Sequence, residues 1–364
     1  MTVDAAAEAA ARTLSMRLFR GMLATQETLT AYLGVRLGLY ELLHSRGALT
    51  VDELAAAAGL ARRYAREWLE QQVVCGLLEV DDPDRPWPAR AYRLVPGHHR
   101  VLTESADPLS LISTCVLPVG GIAGALPHLL EAYRTGAGVA AAVFGDDWRK
   151  GHGGANRAIY THQLTGWLRV HLPDVHGRLS AEPSRVADVG CGAGWAAIGL
   201  ASAYPRAHIT ALDVDADVVE LARAHVSEAH VATRVDCVVG DVSTMDSETG
   251  YDLVCLFDVA HELARPVEAL RACRLACAPG GTVLVLDSQV PDAFGGPGDE
   301  IERFQYAASV LHCLPAALDG VGAEGSGTVL RSPTVREYAT AAGFRDLQVI
   351  DLDDRFHRLY RLRD

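Results

Sequence analysis

The chain has 364 residues, 49% of them hydrophobic and 22% charged, with a formal net charge of −13. That length suits one large or two modest domains with a sizeable core, and the acidic balance argues against non-specific attraction to nucleic acid or to an anionic membrane surface. No stretch of about 18 uncharged apolar residues stands out, so no membrane span is expected.

The opening segment, "MTVDAAAEAAARTLSMRLFRG", carries Asp4 and Glu8 early and has no basic region leading into an apolar one. It reads as a helix, not as a signal peptide. The eight cysteines sit mostly in apolar runs such as "VVCGLL", "STCVL" and "YDLVCLF". This pattern suits buried thiols in a reducing cytoplasm. Cys273 and Cys277 share one expected helix; a metal pair is conceivable there, and small buried residues are the plainer reading.

Residues 1–105 carry three helical patterns separated by glycine punctuation, then two short strand-like runs around a Pro-containing turn. Thr50 with Glu53 three residues later is a capping-box signature. Three helices and a two-stranded wing make a winged-helix pattern. Residues 106–182 suggest a helix, a Gly-rich link and another helix, forming a helical linker. From 183 to 364, strand-like runs ("RVADVG", "HITALDV", "VDCVVGDV", "YDLVCLFDV", "GTVLVLDS") alternate with helical stretches. That alternation argues an α/β fold, a Rossmann-like doubly wound mixed sheet preceded by the mostly helical winged-helix domain. Residues 290–330 form an insertion after the fifth strand.

The loop "VADVGCGAGWAA" places Gly190, Gly192 and Gly194 at every second position after the first strand. A dinucleotide fingerprint needs a small residue where this chain has Trp195. The Lys-Ser/Thr ending of a phosphate-binding P-loop is also missing. The form that remains, Asp188 to Gly194 as D-x-G-x-G-x-G, resembles the first motif of class I S-adenosylmethionine (SAM) methyltransferases.

That resemblance gives the later strand ends their meaning. Asp188 would answer the cofactor's ammonium group. Asp213 follows Gly194 by 19 residues and would accept the ribose hydroxyls, with Val214 beside it. Asp241 would receive the adenine amino group, and Val242 would contact the ring. Phe257 and Asp258 would flank the cofactor at the end of the fourth strand. The plainer alternative is that these acids only cap helices at strand ends.

With the winged-helix segment in front, nearly the whole chain resembles bacterial relatives of plant-type small-molecule O-methyltransferases and of α-keto acid C-methyltransferases. The resemblance implies a cytoplasmic homodimer formed through the N-terminal domain, acting on a small organic acceptor in specialised metabolism, with no nucleic-acid or membrane partner. It also places a general base at His261, next to Glu262 where plant relatives show Asp. A histidine with ordinary pKa near 6.5 suits the removal of a hydroxyl proton; it can also merely pack the helix start. His312, 51 residues later, would face the same acceptor. With His261 it would bind the substrate or hold a divalent or ferric metal ion, which would acidify an α-keto acid for C-methylation. Trp148, Tyr160 and Trp167 before the sheet, and Phe304 and Tyr306 in the insertion, would enclose the substrate or else belong to the core. His162 and Arg157 are further polar candidates.

A different class of function is a SAM-sensing winged-helix regulator that binds DNA through Arg62, Arg63 and Arg66. Residues 1–105 hold 12 Lys/Arg against 13 Asp/Glu, however, so there is no basic footprint.

Overall fold

Thr50 and Glu53 form the capping box that their spacing predicts. The Thr50 hydroxyl accepts from the Glu53 backbone N–H, and the Glu53 carboxylate accepts from the Thr50 backbone N–H at 2.8 Å. The computed structural model describes residues 3–246 and 248–364. The chain divides into two units, residues 1–119 and 120–364. The segment expected as a linker is therefore shared: residues 106–119 go with the first unit and 120–182 with the second.

The first unit runs α1 (Val3–Arg36), α2 (Leu39–Arg46), β1 (Leu49–Thr50), α3 (Val51–Ala58), α4 (Arg62–Val74), β2 (Leu78–Val80), β3 (Ala91–Leu94), α5 (His99–Leu102) and α6 (Ile112–Val116). β2 and β3 are the expected antiparallel wing, and β1 adds a third strand on the far side of β3. Leu39, Tyr40, Leu43, Leu54, Trp68, Leu69 and Tyr92 build its core. Two of its buried polar ends are satisfied: the Tyr40 hydroxyl donates to Gln72 Oε1 at 2.6 Å, and Trp68 Nε1 donates to the Thr30 carbonyl at 3.0 Å. Within this unit the early turns of α1 leave Leu14, Leu18, Phe19, Met22 and Leu23 exposed.

The second unit begins with α7 (Ala123–Thr135), α8 (Gly145–Ala155), α9 (Arg157–His162), α10 (Leu164–His171) and α11 (Pro173–Ala181). Then strands and helices alternate as expected: β4 (Ser184–Val189), α12 (Trp195–Ala203), β5 (Ala207–Asp213), α13 (Ala216–Glu228), β6 (Val235–Val239), β7 (Tyr251–Phe257), α14 (Pro266–Ala276) and β8 (Cys277–Ser288). The insertion holds α15 (Glu300–Ala308), a π turn over Ser309–Cys313 and α16 (Leu314–Ala317). α17 (Ser332–Ala342), β9 (Asp346–Ile350) and β10 (His357–Arg363) close the unit. The sheet order is β6-β5-β4-β7-β8-β10-β9, with β10 antiparallel to both neighbours and the other pairs parallel. The sheet is mixed, and its central strands are buried along almost their whole length because helices cover both faces. β5 and β7 flank β4 on opposite sides, which makes the carboxyl end of β4 a topological switch point where a ligand crevice opens.

One expectation is corrected. Ile112–Thr135 is a helical run of 24 residues, long and apolar enough by length and composition to cross a membrane, with 17% of its apolar window buried. The reading of the sequence passed over it, although residues 108–130 carry no Asp, Glu, Lys or Arg. Ala125, Leu129 and Ala132 of this run pack with Val139 and Phe144 in a small core of their own.

All eight cysteines are free thiols. Cys273 is fully buried and, with Cys277, has its pKa raised by burial, as expected of packing residues.

Candidate active site at the ends of β4, β5 and β7

The loop after β4 uses left-handed backbone at all three glycines: φ is +66° at Gly190, +51° at Gly192 and +83° at Gly194. A side chain carries a steric cost in that region. Space adds to it at Gly190, where a Cβ would lie 2.3 Å from Val259 Cγ2. At Gly192 a Cβ would meet nothing within 4 Å. Its empty side is the cavity itself, so bare backbone is presented to whatever fills it.

That cavity has a volume of about 430 Å³. It is lined by Gly190, Gly192, Asp213, Val214, Asp241, Val242 and Asp258, and also by Trp148, Arg149, His152, Gly153, Glu262 and His312. The Asp213 carboxylate accepts from the Gly192 and Asp215 backbone N–H groups at 3.0 Å each. Burial raises its pKa, against those two hydrogen bonds. Asp241 accepts from Ser243 N–H at 2.8 Å. Asp241 caps a short 3₁₀ turn, as in the plainer reading, while α13 is capped by Asp215 and not by Asp213; both Asp213 and Asp241 stand on the cavity wall. An open glycine cradle, with carboxylates at the β5 and β6 ends, fits the chemistry of SAM's amino-acid, ribose and adenine parts.

Other residues are placed differently from expectation. Asp188 is 1% exposed, away from the cavity wall, and its carboxylate accepts from Ala197 N–H at 3.1 Å in the first turn of α12. Burial pushes its pKa up to about 7. It stands behind the loop, bonded to α12, and is not among the residues that line the cavity. Gly194 is the N-cap of α12, packed near Ala222. Phe257 is buried against Tyr160, with ring centroids 6.0 Å apart. Trp167 is in the core. Phe304 is exposed and meets Phe356 edge-on, while Tyr306 bonds Arg331. Arg157 stacks over the Trp195 indole at 4.2 Å, and His225 stacks on it at 4.3 Å. Of the aromatic candidates only Trp148 reaches the cavity, stacked on His312 at 3.8 Å.

Asp258 lines the cavity, but its side chain is already engaged. Oδ2 accepts from Asn156 Nδ2 at 2.7 Å and from the Tyr160 hydroxyl at 2.6 Å, and Oδ1 lies 3.5 Å from His357 Nε2. Burial works against its charge; His357 and Tyr160 outweigh it and hold its pKa below the usual carboxylate value. Its φ of +54° is rare for a residue with a side chain and costs about 1–3 kcal/mol, strain that tends to gather at functional sites.

His261 follows β7 in a short 3₁₀ turn. Its Nδ1 lies 2.9 and 3.0 Å from the two Asp287 oxygens. Asp287, at the end of β8, is wholly buried. Burial opposes a charge on His261, but this carboxylate prevails and raises its pKa well above the ordinary imidazole value. The other ring nitrogen, Nε2, stands 3.9 Å from Glu262 Oε1. His261 itself is set just behind the wall that Glu262 and His312 form. His312 Nδ1 is 3.3 Å from Glu262 Oε1, an ion-pair distance without hydrogen-bond alignment, and both atoms are buried without another partner. Against the cost of burial, contacts with Cys313 and Glu262 push His312 up to about 9, and the histidines hold Glu262 well below the carboxylate range. Ligand-type atoms of His261, Glu262 and Cys313 also lie within 4.8 Å of one another.

The sequence reading missed Asp287, His152, Cys313 and Asn156. Asp287 stood in view as the acid ending "VLVLDS"; the others had no periodic or motif signal. The regulator reading is not favoured by the geometry of α4. Arg62 pairs with Asp52, Arg63 with Glu67 and Arg66 with Glu70, and Arg62 and Arg66 both stack on Trp87.

Comparisons with known proteins bear on the fold. Residues 186–281 match the family described as "Methyltransferase domain", and residues 25–104 the "Rv2258c-like winged HTH domain". Trans-aconitate 2-methyltransferase of Streptomyces avermitilis is 31% identical over 125 residues, covering 34% of this chain and 45% of that one. Ubiquinone biosynthesis O-methyltransferase of Xanthomonas campestris pv. campestris is 33% identical over 128 residues, covering 34% and 52%. The chain spans about half the length of these curated relatives. Human N-acetylserotonin methyltransferase, solved in complex with SAM, is 25% identical and superposes with a TM-score of 0.68 over 96% of this chain and 97% of that one. The chain therefore joins an N-terminal winged helix-turn-helix domain to a class I methyltransferase domain, a fold whose cofactor is SAM.

Proposed function

We propose that this chain is a cytoplasmic SAM-dependent methyltransferase that alkylates an oxygen of a small organic acceptor, in specialised metabolism. The observation that carries the acceptor chemistry is the buried Asp287–His261 pair beside the Glu262–His312 wall. When bound, SAM supplies a methyl group on a sulfonium. The residues do the rest by placement. The glycine loop and Asp213 hold the donor, Asp241 and Val242 its adenine end. Trp148, Glu262 and His312 enclose the acceptor. Asp287 fixes the proton on His261 Nδ1, so that Nε2 takes the acceptor's proton. The exposed apolar residues of α1 support a homodimer through the N-terminal domain, since a monomer rarely leaves so many on one helix.

A second reading rests on the convergence of His261, Glu262 and Cys313, with His312 nearby. These side chains would hold a divalent or ferric ion that polarises an α-keto acid for C-methylation. One experiment separates the two. His261→Ala is expected to keep S-adenosylhomocysteine binding and to lose about 10²-fold or more in turnover with a hydroxyl acceptor. Elemental analysis of untagged protein, repeated on His312→Ala, would give near-stoichiometric metal in wild type and its loss in the variant if the second reading holds. Unchanged turnover in His261→Ala would refute the base.

A further inference from the structure

Asn156 is the residue at which α8 ends and α9 begins. Its amide donates to Asp258, and one turn on, the Tyr160 hydroxyl donates to the same oxygen. The other oxygen faces His357 at the start of β10, whose Nδ1 is 2.8 Å from Asp354 Oδ1. One carboxylate thus collects partners from the α8–α9 junction and from β10, two strands away from β7 in the sheet.

α8 is the helix that brings Trp148, Arg149, His152 and Gly153 to the cavity. Two other anchors hold it. Arg149 Nε donates to Asp215 at 3.1 Å, and Gly153 packs so near Ala193 that a Cβ there would lie 2.8 Å away. Gly153 lies in the last turn of α8, and Arg157, just past the junction, stacks over Trp195; Asp258 adds the hydrogen-bonded anchor at the junction itself, through Asn156. The left-handed backbone at Asp258 is what turns this carboxylate toward α9, although the residue stands on the cavity wall.

We propose that Asp258 is a positioning residue, which pins the α8–α9 junction to the end of β7 and so sets where Trp148 and His152 lie over His312. It acts through Asn156 and Tyr160, while His357 keeps the carboxylate charged and in place. This rests on the proposed function only for the identity of what the cavity holds.

The test uses the full chain with S-adenosylhomocysteine as probe. Tyr160→Phe keeps the ring on Phe257 and removes one donor; Asn156→Ala removes the other. A hydrogen bond to a charged group contributes about 1.5–3 kcal/mol, so amide hydrogen exchange over residues 149–155 should accelerate about tenfold or more in each variant. Exchange in β4, β5 and β7 should not change. Affinity for S-adenosylhomocysteine should fall about fivefold to tenfold in either variant, with the double variant no more than about twofold worse than the weaker single, because both remove the same anchor. His357→Gln, which removes charge but keeps a donor, should show the same local acceleration at smaller size. Unchanged exchange over 149–155, acceleration spread evenly across the sheet, or affinity losses that multiply would overturn the proposal. If wild type bound no S-adenosylhomocysteine, the proposed function would fail, and exchange in the ligand-free chain would still decide the anchor.

Discussion

Replacing Asp287 by Asn is the sharpest probe of the buried dyad. The side chain accepts from His261 Nδ1 through both oxygens, from His261 N–H at 3.3 Å and from Ser288 N–H at 2.7 Å. Asn keeps the shape and removes the charge. A hydrogen bond to a charged group contributes about 1.5–3 kcal/mol and a neutral one about 0.5–1.5, so roughly tenfold in turnover is at stake. The larger effect comes from the proton. An amide can turn its NH₂ toward Nδ1 and force the proton onto Nε2, the nitrogen that must be free; a comparable carboxylate-to-amide change in a serine protease triad costs about 10⁴-fold. We therefore expect turnover to fall at least about 100-fold at neutral pH. The pH dependence carries a second signature. In wild type Asp287 raises the His261 pKa against burial, so the rate should climb with pH above neutral as the imidazolium loses its proton. Without the carboxylate, burial weighs against the remaining contacts with Cys313, and the rising limb should move to lower pH. The assay is conversion of SAM to S-adenosylhomocysteine with an acceptor that wild type turns over, from pH 5 to 10, alongside S-adenosylhomocysteine affinity by calorimetry. Asp287 is off the cavity wall, so affinity should stay within about twofold. A rising limb at the same pH in both proteins would refute the reasoning, whatever the loss in rate.

Other outcomes follow from the same geometry. Gly192→Ala adds a Cβ on the cavity side and about 1–2 kcal/mol of left-handed strain, so S-adenosylhomocysteine affinity should drop about tenfold or more, read by calorimetry. Asp213→Ala removes a carboxylate from the wall at the β5 end and should weaken the same affinity by about 10- to 150-fold, the range of one charge-assisted hydrogen bond. Stability should fall toward high pH. Burial opposes charge on His357, yet Asp258 and Asp354 push its pKa up to about 10. Its contribution is thus complete below the unfolded value near 6.5 and is lost as pH rises through about 10. Tm measured from pH 6 to 10.5 should decline more steeply in wild type than in His357→Gln.

The strand order and the glycine loop were legible because buried parallel strands leave continuous apolar runs, and tight backbone leaves glycines. Trp195, Asp213 and Asp241 carried the argument at fixed distances from that loop, and the structure sets the two acids on one cavity. What sequence could not show is which way a side chain turns. Asp188 and Asp258 are both acids at strand ends, yet one caps α12 and the other bonds the roof, because backbone conformation and neighbours distant in sequence decide the direction. Asp287 and His152 reach the site through tertiary packing alone. Trp167 and Phe304 show the converse: aromatics at helical spacing look alike whether they end in the core or in solvent. The long run at 112–135 was missed because glycine, proline and serine dilute its apolar character to the eye, while only the absence of charge marks it.

Trp195 excluded a dinucleotide loop on grounds of size. Its place between Arg157 and His225 means that loop and roof are not interchangeable parts. Exchanging the indole for the small residue of a dinucleotide fingerprint would leave the Arg157 guanidinium without its seat and open a void between α9, α12 and α13. A drift toward a different cofactor would therefore have to change the covering helices together with the loop. The first helix position of α12 thus ties the glycine loop to α9 and α13.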